Sequence, residues 1–202
     1  MNAKSNPAIA IFGATRGCAN ASLVHSLLAG YDVRTLARTP SKLTSQAHTG
    51  LKWETCLIIS GLGGKPVLQK SLRRPVTLDN PGICSSSTEA LLNALRAAYA
   101  ENPSTAAIKP LLAYVSTTGI TNGPEDVPFG FQFLYHVLLA VPHEDKRKME
   151  RTLKSHMAQP EESERLLRGI VGVRICMQHR IPDTTSCYST ASWRGASPFD
   201  VE

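Results

Sequence analysis

An α/β fold with a doubly wound parallel sheet is what this chain of 202 residues predicts, and three observations carry the prediction. Ala8 to Phe12 is a short apolar run between a proline and a glycine, the pattern of a strand buried on both faces of a parallel sheet. Behind it the period changes: Leu23, Val24, Leu27 and Leu28 share one helical face, and Gly30 supplies a stop. The same alternation then recurs, with strand-like segments at 31–38, 56–60 and 111–115 and a helical pattern ahead of Pro103.

The turn between the first strand and the first helix is Gly13-Ala14-Thr15-Arg16-Gly17-Cys18-Ala19. In a βαβ unit such a turn presents backbone N–H groups and a helix N-terminus where a pyrophosphate lies. Gly13, Thr15, Arg16, Gly17, Cys18 and Ala19 are therefore candidate cofactor-binding residues. The G-x-G-x-x-G spacing is absent. The stretch resembles instead the G-x-x-x-G-x-G turn of short-chain dehydrogenases/reductases, with Ala19 in the place of the last glycine. That glycine serves close packing of helix on strand, so the alanine predicts a slightly wider separation.

Residues 31–38 read as the second strand. Where an NAD site carries an acidic residue at the end of this strand, the chain carries Arg38, with Lys42 close behind and Arg16 in the turn. A guanidinium clamps a phosphate through two hydrogen bonds, so the cluster points to a 2′-phosphate and hence to NADP. Cys56 to Ser60 is the next buried strand, and Ser60, Gly61 and Leu62 open a glycine-rich exit loop that flanks the same site. Past Lys42, only residues 43–55 are available before the next strand. One crossover needs about 10–12 residues, so a helix, a strand and a second helix do not fit. The third strand and its helix are missing from a Rossmann-like order, which leaves the second strand as the edge and removes one wall of an adenine pocket.

Residues 65–84 hold Pro66, Pro75 and Pro81 and read as a long loop. Ser86 with Glu89 forms a capping box for a helix whose buried face is Leu91, Leu92, Leu95 and Ala98. Leu111 to Val115 is a strand, and Ser116 to Gly119 is its polar end, bordering the crevice where ligands bind in such sheets. Phe129 to Val141 is an apolar segment that serves as core or as a roof over a hydrophobic substrate. A charged helix starts at His143, and Ile170 to Cys176 is a last strand. The domain organisation is thus one Rossmann-like NAD(P)-binding domain over 1–177 and an irregular tail over 178–202, where only Ile181 and Val201 are aliphatic.

Composition narrows the functional classes. Forty-two per cent hydrophobic and nineteen per cent charged residues describe an ordinary soluble chain. No apolar stretch approaches the ~20 residues of a membrane helix. Five scattered cysteines without C-x-x-C spacing point to a reduced, cytoplasmic protein with no metal centre. The net charge of +6 comes from two basic patches, one around Lys65, Lys70, Arg73 and Arg74, the other from Lys146 to Lys154. Neither carries a nucleic-acid signature, and the second reads as a solvated helix face.

The turn at 13–19, Arg38, the loop from Ser60 to Gly64, Tyr114 to Gly119 and Asp145-Lys146 with Glu150 together resemble the NmrA-like atypical short-chain dehydrogenases/reductases. Within them the chain is most similar to the fungal polyketide-cluster oxidoreductases of the averufin oxidase A type. The resemblance covers residues 7–158. It implies a bound NADP(H), an aromatic polyketide intermediate as substrate, and Lys146 as the catalytic acid/base with Ser116 as hydroxyl partner. The usual Tyr-x-x-x-Lys pair is absent, with Pro142 at the tyrosine position. That departure leaves a second reading open, an NmrA-like regulator that binds cofactor and a protein partner without chemistry.

Overall fold

The computed structural model describes residues 8–38, 42–43, 55–70, 76–117, 120 and 138–175. Strand β1 (Ala8–Phe12) leads through the glycine turn into helix α1 (Gly17–Leu28) and strand β2 (Asp32–Leu36). Strand β3 (Thr55–Ser60) follows, then a two-stranded antiparallel ribbon of β4 (Pro66–Leu68) and β5 (Val76–Leu78). Helix α2 (Ile83–Glu101), a short 3₁₀ turn (Pro103–Ala107), strand β6 (Leu111–Thr117), helix α3 (Ala140–Met157) and strand β7 (Gly169–Ile175) complete the order. The main sheet is parallel throughout, in the order β2-β1-β3-β6-β7. This is the Rossmann-like arrangement, with β2 at one edge of the described sheet and no strand beyond it.

Strand alternation divides the core. Ile9, Ile11, Leu57 and Ile59 face α1, where they pack with Ala14, Ala19, Leu23 and Leu43. Ala10, Phe12, Ile58, Leu112 and Tyr114 face the other way, onto Cys84 and Leu92 of α2 and Met149 and Leu153 of α3. Helices therefore cover both faces, and β1 is buried on both as its unbroken apolar run requires. Edge position has the opposite effect on β2. Leu36 is 66% exposed, as expected at an edge with no further strand among the described residues. Helix α1 ends as Gly30 predicts: its φ is +79°, and the Tyr31 and Gly30 amides bond the Ser26 and Leu27 carbonyls in a Schellman closure.

Several expectations are corrected. The stretch 65–84 is not a loop, because the β4–β5 ribbon and the first turn of α2 lie within it. Helix α2 begins three residues before Ser86, on Gly82, so the Ser86–Glu89 box caps nothing; Ser86 Oγ bonds back to the Gly82 carbonyl at 2.7 Å. Ala98 is exposed and Tyr99 takes its place toward the core, with its hydroxyl donating to the Leu166 carbonyl at 3.0 Å. Leu28 is 79% exposed rather than part of the buried face of α1. Helix α3 starts at Ala140, with Pro142 in the first turn, where its missing N–H costs nothing. The tail 178–202, Arg73 and Arg74, Thr118 and Gly119, and residues 129–137 of the apolar segment lie outside the described residues.

Candidate functional site

The carboxyl ends of β1, β3 and β6 meet at one edge of the sheet, and the glycine turn closes that edge. Gly13 has φ +78°, and its amide donates to the Leu36 carbonyl at 3.1 Å. A Cβ at Gly13 would lie 2.9 Å from the Gly61 carbonyl oxygen, so the turn and the exit loop of β3 touch through main chain. Gly17 has φ +61° with nothing within 4 Å of where its Cβ would stand. Helix α1 receives no side-chain cap from Arg16 and carries no acidic residue in its first turn. Thr15 is half-buried while Arg16, Gly17 and Cys18 are exposed. An open, uncapped helix N-terminus behind a glycine turn fits a pyrophosphate-bearing nucleotide.

Ala19 is accommodated differently from the sequence expectation. The helix does not stand away from the sheet. Ala19 is 1% exposed, and its Cβ is 2.5 Å from the position a Cβ would take on Gly61. The close approach supplied by a glycine on the helix is supplied here by a glycine on the strand exit, held by a 3.0 Å bond from the Gly61 amide to the Phe12 carbonyl.

On the far side of this edge, α3 delivers Lys146. Its neighbours Arg147, Lys148, Arg151 and Lys154 are exposed, as a solvated face should be, whereas Lys146 is half-buried. The ammonium donates to the Val115 carbonyl near the end of β6 and, at 3.5 Å, to the Leu62 carbonyl in the exit loop of β3. Asp145 beside it is 2% exposed and accepts from the Cys84 amide at 2.8 Å, the Ser85 amide at 2.9 Å and the Ser85 hydroxyl at 2.7 Å. It is thus the N-terminal cap of α2, donated by another helix, and a carboxylate there also suits the helix dipole. Cys84 Sγ contacts the same Leu62 carbonyl at 3.3 Å. Burial, reinforced by Asp145 and opposed by Lys146, pushes this thiol up to about 11, so it is protonated at neutral pH and a poor nucleophile.

Ser116 lies one residue past the carbonyl that receives Lys146, yet it points elsewhere. It is 3% exposed, and its hydroxyl donates to Glu150 Oε1 at 2.5 Å, while Glu150 Oε2 pairs with Lys154 at 3.3 Å. Lys146 and Ser116 therefore belong to adjacent clusters on one turn of α3, without a bond between them among the described contacts. Asp145, Glu150 and Cys84 were not assigned roles from the sequence. One signal was available: Asp145, Met149 and Leu153 recur at four-residue spacing, so a carboxylate falls on the apolar stripe of α3.

The remaining expected residues divide between the end of β2 and the exit of β3, on either side of β1. Arg38 and Lys42 are exposed, and Ser60, Gly61 and Leu62 are half-buried at the end of β3. Arg38 does not stand alone: its Nη1 is 3.3 Å from Asp79 Oδ2. No cluster of metal-ligating side chains occurs among the described residues. None of the described helices is long and apolar enough to cross a membrane.

No protein-family model matches the chain. It is 35% identical over 204 aligned positions to reductase pytE of Aspergillus terreus, an alignment covering 84% of this chain and 75% of that protein. It is 33% identical over 219 positions to oxidase pynE of Aspergillus niger, covering 84% and 76%. Among solved structures, a protein from Lactobacillus casei shares the fold with a TM-score of 0.52 over 83% of this chain and 72% of that one, at 15% identity. Parallel sheet, open glycine turn and extended identity agree, and the chain belongs to the oxidoreductase family that contains reductase pytE and oxidase pynE.

Proposed function

We propose that this protein is an NADP-dependent oxidoreductase acting on an aromatic polyketide intermediate of fungal secondary metabolism, in the manner of the NmrA-like, averufin oxidase A-type enzymes it resembles. The observation that carries the reading is the placement of Lys146. One ammonium, half-buried among exposed lysines and arginines, is drawn to the carboxyl ends of β3 and β6 by the Leu62 and Val115 carbonyls. Gly13 to Ala19 would hold the pyrophosphate and Arg38 with Lys42 the 2′-phosphate of a nicotinamide cofactor, which when bound would supply or accept a hydride. Lys146 holds a proton at Nζ for a substrate oxygen, in place of the missing tyrosine. Ser116 and Glu150, locked to each other, keep the end of β6 against α3. The reaction takes place in the cytoplasm on a small, freely diffusing substrate.

The test is NADPH oxidation with a quinone or anthrone acceptor. Lys146→Ala lowers turnover at least tenfold, about 1.4 kcal/mol of transition-state stabilisation, while NADPH still binds. Unchanged turnover removes Lys146 from the mechanism. The absent Tyr-x-x-x-Lys pair keeps one competing reading, a non-catalytic NmrA-like regulator. It requires NADPH binding without turnover on any aromatic carbonyl, and substrate-dependent NADPH loss eliminates it.

A further inference from the structure

The Arg38–Asp79 ion pair spans the cofactor crevice. Arg38 lies just past β2, and Asp79 follows β5 and is tied to the exit loop of β3. Its Oδ1 accepts the Lys65 amide at 2.7 Å, and its own amide donates to the Lys65 carbonyl at 2.9 Å. Because β1 lies between β2 and β3, the pair bridges over the end of β1 and the glycine turn. The Arg38 side chain is 58% exposed and that of Asp79 32%, so an incoming ligand reaches both. The Lys65 amide, the Asn80 amide at 2.9 Å and the guanidinium hold the Asp79 carboxyl below its usual range, against partial desolvation. It is therefore charged at neutral pH.

We infer that Asp79 is a specificity-determining residue of the cofactor site, competing with the nucleotide's 2′-phosphate for Arg38. The inference rests on the NADP reading above and adds what that reading lacks, a resident anion on the phosphate clamp. A 2′-phosphate must displace the Asp79 carboxylate from the guanidinium and then lie near its negative charge. A 2′-hydroxyl meets no such repulsion and donates a hydrogen bond to a carboxylate, as the acidic residue does in NAD sites. Asp79 thus narrows the preference for NADPH over NADH that Arg38 alone would give.

The experiment is titration of the full chain with NADPH and with NADH, followed by nucleotide fluorescence. Asp79→Asn keeps an oxygen to accept the Lys65 and Asn80 amides, so the ribbon stays anchored, and thermal melts of the variant check this. Removing an exposed counter-ion and its repulsion lowers the Kd for NADPH by about threefold to tenfold and leaves that for NADH unchanged or raised. In an Arg38→Ala background the same substitution gives a smaller gain in the ratio, since only the direct repulsion is left to remove. If both nucleotides bind and Asp79→Asn leaves their ratio unaltered, Asp79 has no part in specificity although the cofactor reading stands. A gain undiminished without Arg38 also overturns the competition. If neither nucleotide binds to the native chain or the variant, the cofactor reading fails and this inference goes with it.

Discussion

Adding one methyl at Gly61 tests how α1 is seated on the sheet. The Cβ of Gly61→Ala falls 2.5 Å from the Ala19 Cβ, where carbon atoms prefer about 3.5–4.0 Å. Neither side can swing away, since both carbons are attached directly to the backbone. Gly61 is held by its bond to Phe12, and Ala19 is buried in the first turn of α1. Relief requires the helix to move by about 1 Å, and overpacking of this kind costs about 1–3 kcal/mol, here toward the upper end. For a chain of this size each kcal/mol lowers Tm by about 2–4 °C, so the variant melts roughly 4–12 °C lower. Ala19→Gly alone costs about 0.5–1 kcal/mol through helix propensity. Combined, the two substitutions exchange glycine and alanine across the contact, and the double variant returns close to Ala19→Gly. The assay is thermal melting by circular dichroism of the two single variants and the double. A Gly61→Ala variant within about 0.5 kcal/mol of native, or strictly additive losses, refutes the reciprocal packing.

Three other outcomes follow from the same geometry. Asp145→Ala leaves the first amides of α2 without their buried acceptor; it lowers stability by about 2–4 kcal/mol in denaturant unfolding, and turnover falls because Lys146 is the next residue. An unchanged unfolding midpoint shows that the cap is dispensable. His156 Nε2 accepts the Leu166 amide at 2.8 Å, and burial, then Arg96, Arg165 and Lys109, push its pKa below 6.5. The unfolded chain therefore binds the proton first: the contribution is complete above about pH 6.5 and is lost as pH falls from there through the folded value. His156→Gln flattens this loss below about pH 6.5, and an identical pH slope in both chains refutes the assignment. On the proposed NADP reading, NADPH binds about ten- to a hundredfold more weakly than to an intact relative, or about 1.4–2.7 kcal/mol, because no third strand walls the adenine among the described residues. One ring face of about 80 Å² at ~25 cal/mol per Å² is worth about 2 kcal/mol, within that range. Equal affinity in parallel titrations means that another segment builds the wall.

Local pattern determined the sheet. The unbroken run of Ala8–Phe12 required burial on both faces, Gly13 and Gly17 marked a tight turn, Gly30 required a helix stop, and the short spacing from Lys42 to Thr55 left too little chain for two crossovers and a strand. Each of these is a constraint between residues near in sequence, where sterics and periodicity act directly. The candidate site was legible only as an inventory of residue types. That Lys146 leaves the solvent while Arg147 and Lys148 remain in it depends on which carbonyls β3 and β6 bring to α3. The helix start at Ile83 rather than Ser86 was decided by Asp145, sixty-one positions from the Cys84 amide it accepts. Ser116 was given to Glu150 and Arg38 to Asp79 by the same kind of encounter. Hydrogen bonds and ion pairs act over about 3 Å, so only the folded chain decides which partners come that close.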